Sequence, residues 1–552
     1  MLSDTTSDNP ASRKDEPRCR IPPWSWSVLV SALAWAVIII AIPPSRQDFP
    51  LGDDWAFARG AIWFAHGEGI HYSKWASMPQ LGQWLWSWPF LLVIGSSHFA
   101  LRISGIALSW LGMVSFYDLL RQNKVPARLA GFAACVIATN PLFFISQGTY
   151  MTDVPALSFG LMALNCYSRA INQRNLRWLF GAVVLAVLGA ITRQTMIAVP
   201  MVAGLLLLRF PEIRLKPFWV LSIVVPVAAG VGTSQWFAHR PDILPMHLTL
   251  NSEALVFRPF LALHWCGLAV LPLCLLTLQR EFWKLFVTSF IFMMLAVSYL
   301  YFLGEDLTYG GSFPYCNGAI SPWGVCSGGL LVGQREILLT QPFRIAISIL
   351  GCIGGAQILT ALFDAVQARK SPDLLLLFTA LQFLFVLTLP NMMDRYLEVL
   401  FPGAVYLVVM RCSVSHSGWL PGTVVVTLCG FISVALFHDW LSWNTARWEL
   451  GRQAIATKSI QPDDIEGGFE WNGWYASTDP NRPMVGSDPN HPINNEPGLS
   501  LPFSRDYFPQ VRGRFALAFT QPENSVVVAS LPYTLWLSAE QKDFLFVQYK
   551  EP

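Results

Sequence analysis

Stretches of about 20 apolar residues, such as WSWSVLVSALAWAVIIIAIP at residues 24–43, recur along most of this chain. That is the length a helix needs to cross the hydrocarbon core of a bilayer, where the backbone must satisfy its own N–H and C=O groups. Composition agrees with this reading. Hydrophobic residues make up 53% of the chain and charged residues 13%, about half the charged share of a soluble domain. The expected fold is therefore mainly α: a polytopic transmembrane helical protein. The first run has a long apolar core and no small-residue cleavage pattern, so it is expected to stay as an anchor rather than be removed as a signal.

Lys and Arg in short loops mark the cytoplasmic side of a membrane protein. The segment LGQWLWSWPFLLVIG, residues 81–95, is apolar enough for a span, but counting it as one would invert every later loop. If it is instead a Trp-rich helix at the outer interface, the basic segments at 13–20, 121–128, 169–177, 209–216, 280–284 and 369–370 all fall inside. About thirteen spans follow: 24–43, 99–120, 127–147, 154–171, 176–192, 194–210, 217–236, 258–279, 284–303, 343–365, 372–390, 396–411 and 419–438. The amino terminus is then cytoplasmic and the carboxyl terminus extracytoplasmic. Residues 1–23 read as a disordered tail, 24–438 as the transmembrane domain, and 439–552 as a small extracytoplasmic α/β domain. In that last part NTARWELGRQAIATKS is helix-like, while SVVVASL and DFLFVQYK are strand-like.

A net charge of +2 gives no bulk attraction to nucleic acid, and the sequence has neither a GxxxxGK[ST] loop nor a twin dinucleotide fingerprint. Most of the ten cysteines lie in apolar runs as small hydrophobes. Cys316 and Cys326 flank a polar Gly-rich loop and can bridge if that loop faces an oxidising compartment. The histidines His66, His71, His247 and His264 lack metal-ligand spacing.

The informative charges gather on the predicted outer face. FPLGDDWAFARG brings Asp53, Asp54 and Arg59 to the first outer loop, with Lys74 further along it. SQGTYMTDVPA carries Tyr150 and Asp153, AITRQT carries Arg193 and Gln194, and LPNMMDRYLEVL carries Asp394, Arg395 and Tyr396. Ionisable groups at the edge of hydrocarbon are costly, so they are usually paired or functional. Each also has a structural alternative: Asp53, Asp54 and Asp153 as helix amino-terminal caps, Arg193 and Arg395 as interfacial residues whose charged ends reach water. As a functional pair, two adjacent acids raise one another's proton affinity and leave one as a base, or together hold a divalent ion such as magnesium or manganese. The arginine forks, with Arg59 and Lys74, suit a phosphate. Together these features point to a lipid-linked substrate that presents a phosphate at headgroup level.

These motifs, in the order GDDWAFARG, an outer Trp-rich helix, TYMTDVPALSFGLMAL, ITRQT and DRYLEVLFPGAVYL, resemble the GT-C superfamily of membrane glycosyltransferases. The resemblance is to bacterial members of glycosyltransferase family 39, related to the lipid A aminoarabinose transferases and the protein O-mannosyltransferases. It implies a GT-C fold with interfacial outer-loop helices. It implies catalytic roles for Asp53, Asp54 and Asp153, with the first acid essential. It also implies transfer of a sugar from a polyprenyl-phosphate carrier to an envelope glycan, lipid or protein on the extracytoplasmic side of the bacterial inner membrane, with inversion. One departure stands out: where the aminoarabinose transferases have Glu-Lys-Pro, this chain has ASMPQLGQ, which offers Gln80 and Gln83 but no charge.

A transporter or flippase for a lipid-linked sugar is the rival reading. It calls for inverted repeats, matching broken helices and charges at the membrane midplane, whereas the key charges here lie at span ends. The aromatic residues of GGFEWNGWYAS either stack on sugar or pack internally.

Overall fold

The computed structural model describes residues 21–550 except residues 74, 211–215, 241–242, 244–251, 278–282, 304–312, 317, 327–330, 334, 369–372, 390–391, 412–417, 477–507 and 509–510. The predicted tail through Arg20, Lys74, Arg280, Arg369 and Lys370 lie outside the described residues.

Each predicted span is at least partly helical. The helices are α1 (Trp26–Ala41), α2 (Asp54–Ala65), α3 (Leu81–Ile94), α4 (His98–Gln122), α5 (Ala127–Ala138), α6 (Pro141–Gln147), α7 (Asp153–Gln173), α8 (Leu176–Thr192), α9 (Ala198–Leu207) and α10 (Pro217–Ala238). They continue with α11 (Ser252–Thr277), α12 (Trp283–Leu303), α13 (Gln341–Gln367), α14 (Leu374–Leu387), α15 (Phe401–Arg411), α16 (Trp419–Lys458) and α17 (Phe469–Ala476). Among the described residues, seven helices are long and apolar enough to cross a membrane, or eight if α5 and α6 form one span. This is a multi-pass membrane protein. At 14 residues, α3 is about 21 Å long, shorter than a hydrocarbon core is thick, and so is α14.

Local chemistry explains where the remaining spans break. The expected span 127–147 bends by 69° between α5 and α6. There Asn140 Oδ1 caps α6 by accepting from Leu142 N at 3.0 Å, and Pro141 occupies the first helical turn. Two further spans begin as tight 3-10 turns, Gln194–Ile197 before α9 and Asp394–Leu400 before α15. Irregular backbone of this kind is tolerated in a membrane protein where it is buried in protein or lines a cavity.

The expected domain boundary at Asp439 falls inside α16, a single helix of 40 residues. At about 60 Å it is twice the thickness of a hydrocarbon core, so its second half continues beyond the bundle. A four-stranded sheet packs on that half, in the order β3-β4-β6-β5, where β3 is Ile465–Glu466, β4 Phe515–Ala518, β5 Ser525–Leu535 and β6 Glu540–Tyr549. A short pair, β1 (Ile320–Ser321) and β2 (Gly324–Val325), lies between α12 and α13. β3 and β4 are parallel; the other pairings are antiparallel. The helix grips the sheet through Asp439, whose carboxylate accepts from Trp536 N at 2.6 Å and Leu537 N at 3.2 Å. Trp443, Phe519 and Phe544 fill the space between them. Cys316 and Cys326 are not joined to each other by a disulfide.

Candidate active site

Asp53 and Asp54 sit side by side in sequence but serve different ends of the structure. Gly52 has a φ of +60°, and this left-handed turn delivers the chain to the first turn of α2. Asp54 is the first residue of that helix and is buried. Its Oδ1 accepts from Leu51 N at 2.5 Å and its Oδ2 from Tyr150 N at 3.3 Å. Neither acid caps α2 with its side chain: Asp53 stands at the cap position without a capping hydrogen bond, and Asp54 ties the turn to the α6–α7 connection. Asp53, its side chain 20% exposed, points elsewhere: Oδ1 accepts from Trp75 Nε1 at 3.1 Å and Oδ2 from Arg395 Nη2 at 2.7 Å.

Burial pushes the Asp54 carboxyl up to about 7, opposed by the Arg102 guanidinium and by the two backbone N–H donors. A carboxyl whose folded pKa lies above its unfolded value contributes stability that is fully present below about pH 4 and is lost as pH rises through about 7. Asp54 by itself therefore lowers the melting temperature of the wild-type protein between pH 5 and pH 8. Asp54→Asn should flatten that difference in a thermal scan in detergent, and an unchanged slope would count against the assignment.

Around Asp53 the chain brings together groups from four segments. Asp153, the first residue of α7, pairs closely with Arg193 Nη1 and lies 3.9 Å from Arg395 Nε. Arg193 leaves the end of α8 in an extended conformation, and its Nη1 also reaches Thr152 Oγ1 at 3.3 Å. The Tyr396 ring lies 5.0 Å from the Arg193 guanidinium and 5.4 Å from that of Arg395. The result is an alternating chain, Asp53, Arg395, Asp153, Arg193, in which each charge is only slightly exposed and is balanced by its neighbour.

Asp153, Arg193, Arg395 and Tyr396 form the polar end of a small, partly open cavity of about 30 Å³. Its remaining wall is mostly apolar, with Met196, Phe385, Val386, Leu389 and Val399 joined by Thr195 and Gln382. Gln382 Nε2 donates to Thr195 O at 2.9 Å and so pins α14 to the 3-10 turn that follows Arg193.

Several expected site residues do other work. Asp394 is fully buried and accepts from the backbone of Ala319 (2.7 Å), Ile320 (2.9 Å) and Arg395 (2.7 Å). It anchors the β1 loop against the 3-10 turn, and burial pushes its carboxyl up to about 6. Arg59 stacks 3.6 Å over Trp474 and donates to its carbonyl at 2.8 Å, so it is committed to helix packing rather than to a phosphate. Tyr150 is buried with its hydroxyl 2.7 Å from Ser87 Oγ. Gln83 donates to the carbonyls of Tyr150 and Met151 at 3.2 and 3.4 Å. Gln80, in the left-handed region at φ 59°, is buried away from the cavity lining, and Gln194 is half-buried and does not line it either.

The paired acids do not fit a shared metal site. All four oxygens of Asp53 and Asp54 are taken by separate protein donors, and no cluster of three or more His, Cys, Asp or Glu among the described residues is arranged to hold an ion.

The sequence reading missed Glu398 and Gln382. Glu398 is buried, and its Oε1 takes a close hydrogen bond from Ser146 Oγ. An acid inside the span 396–411 and a glutamine inside LLLLFTALQFLFVL were the available signals, since polar groups within hydrocarbon are rare and purposeful. Trp75 carried no such signal.

The family described as dolichyl-phosphate-mannose-protein mannosyltransferase matches residues 77–232. No curated relative matches the chain. Two solved structures of ArnT from Cupriavidus metallidurans align over 95% of this chain and 98% of theirs, each with a TM-score of 0.40. One, bound to undecaprenyl phosphate, is 13% identical, and the other, in the apo state, is 14% identical. The family match spans α3, α7, Asp153 and Arg193, so this part of the chain is similar to that family of membrane glycosyltransferases.

Proposed function

We propose that this protein transfers a sugar from a polyprenyl-phosphate carrier to an acceptor on the extracytoplasmic side of a bacterial inner membrane. The observation that carries the proposal is the lining of the cavity: two guanidinium groups and an acid at one end, a mostly apolar wall for the rest. A phosphate joined to a hydrocarbon chain needs both parts at once.

In the proposed reaction Asp53 accepts the proton of the acceptor hydroxyl or amine as that atom bonds to the anomeric carbon. The bond from that carbon to the phosphate oxygen breaks on the opposite face, so the configuration inverts and polyprenyl phosphate departs with the electron pair. Arg395 and Arg193 meet the charge that grows on the phosphate, and groups fixed in place beforehand are often the largest catalytic contribution of this kind. Asp153 holds Arg193 in position and neutralises it before the carrier enters. The description of the matched family, which names a dolichyl-phosphate sugar, supports the donor class. The basic loops expected on one face support the sidedness.

The test is direct. Cells lacking the gene are expected to accumulate one polyprenyl-phosphate sugar and to lose one sugar from an envelope glycan, lipid or protein. Purified protein in detergent, given that carrier and an envelope extract, should release free polyprenyl phosphate. A flippase moves its cargo between leaflets and leaves it intact, so an absence of release in detergent would sink the transferase reading.

A further inference from the structure

The carboxyl-terminal part of the chain reaches back to the turn that carries Asp53, and it does so through one buried carboxylate. Glu470, the second residue of α17, accepts from Gly52 N at 3.2 Å through Oε1 and from Arg447 Nη1 at 3.0 Å through Oε2. Both side chains of this ion pair are almost entirely buried, at 2% and 0% exposure. Arg447 comes from the second half of α16, where its guanidinium lies 5.3 Å from the ring of Trp443 and 5.7 Å from that of Trp448, and its Nε and Nη2 have no hydrogen-bond partner. The same helix, α17, presses on the first half of α2. Trp55 occupies the space a Cβ on Gly473 would need, Phe469 meets the rings of Trp55 and Trp75, and the Trp474 carbonyl receives Arg59.

We infer that Glu470 is a positioning residue: it fixes the Gly52 turn, and so sets the direction in which Asp53 faces Arg395 and the acceptor. The inference rests on the reading of Asp53 as the base. It gives the carboxyl-terminal domain a part in the chemistry, since α17 acts on Asp53 through a single backbone N–H. Gly52 adopts a left-handed conformation that other residues avoid, and an acceptor on its N–H holds that turn in one register. A base displaced by about 1 Å can lose about a hundredfold in rate without any loss of substrate binding.

Two full-length double variants separate this role from general packing. Arg447→Met with Glu470→Gln, and Arg447→Met with Glu470→Met, both remove the buried ion pair, a replacement that is often neutral for stability. Only the first keeps an acceptor for Gly52 N–H. The glutamine variant is expected to retain most of the wild-type kcat. The methionine variant should lose about a hundredfold in kcat while its KM for the polyprenyl-phosphate sugar stays within about twofold. Amide hydrogen exchange over residues 49–55 should be faster in the methionine variant alone. Equal kcat in the two variants, or equal exchange, overturns the inference. If the wild-type protein turns over no polyprenyl-phosphate sugar, the proposed function fails, and the exchange comparison still decides whether Glu470 holds the turn.

Discussion

Asp53→Asn is expected to slow sugar transfer by about a hundredfold to ten-thousandfold while the protein still inserts and folds. Asparagine is nearly the same size and can still accept from the Trp75 indole, but it carries no charge opposite Arg395 and has no basicity to take a proton. The loss should therefore appear in kcat at saturating carrier, with little change in donor KM. Asp54→Asn makes an instructive contrast. That residue faces Leu51 N and Tyr150 N, away from the cavity, so its replacement should retain at least about tenfold more activity than Asp53→Asn and show itself in the pH dependence of melting. Equal losses at the two positions would mean that the acids act as a unit, and wild-type turnover in Asp53→Asn would reduce Asp53 to a helix-end residue.

Arg395→Gln is expected to cost about a hundredfold to a thousandfold in kcat, the usual consequence of removing a fixed donor from a developing negative charge. Donor KM should rise as well, because under the proposed reading the same guanidinium binds the carrier phosphate before reaction. The variant also leaves Asp53 without its closest cation and Asp153 with Arg193 alone. Arg395→Lys should recover little, since a single ammonium cannot reproduce a fork that reaches Asp53 through Nη2 and Asp153 through Nε. Steady-state kinetics over a range of carrier concentrations checks both parameters. An unchanged donor KM would remove Arg395 from phosphate binding.

The two substitutions probe groups that were visible in the sequence for different reasons. Arg395 stood out because a guanidinium at the end of an apolar run is costly unless it is used. Asp53 stood out only jointly with Asp54, and nothing in GDDW says which acid turns inward. Asp394 and Arg395 pose the same problem in mirror image: neighbours in sequence, one closing a loop through three backbone N–H groups, the other reaching Asp53 across 342 positions. Arg59 was expected at a phosphate and instead packs on Trp474, because α17, which supplies that ring, lies outside every span that hydropathy can find.

The sequence by itself located the apolar helices, the short Trp-rich helix α3 among them, and the acids and arginines at the ends of apolar runs. Each of these depends on the transfer of a local stretch from water to hydrocarbon, a quantity that adds up along the chain. Only the tertiary structure decided which of the two adjacent acids meets Arg395, where α5 gives way to α6, and that α16 carries the bundle straight into the sheet domain. Those outcomes depend on partners hundreds of residues away, such as Arg395 for Asp53 and Glu470 for Gly52, and no local average contains them.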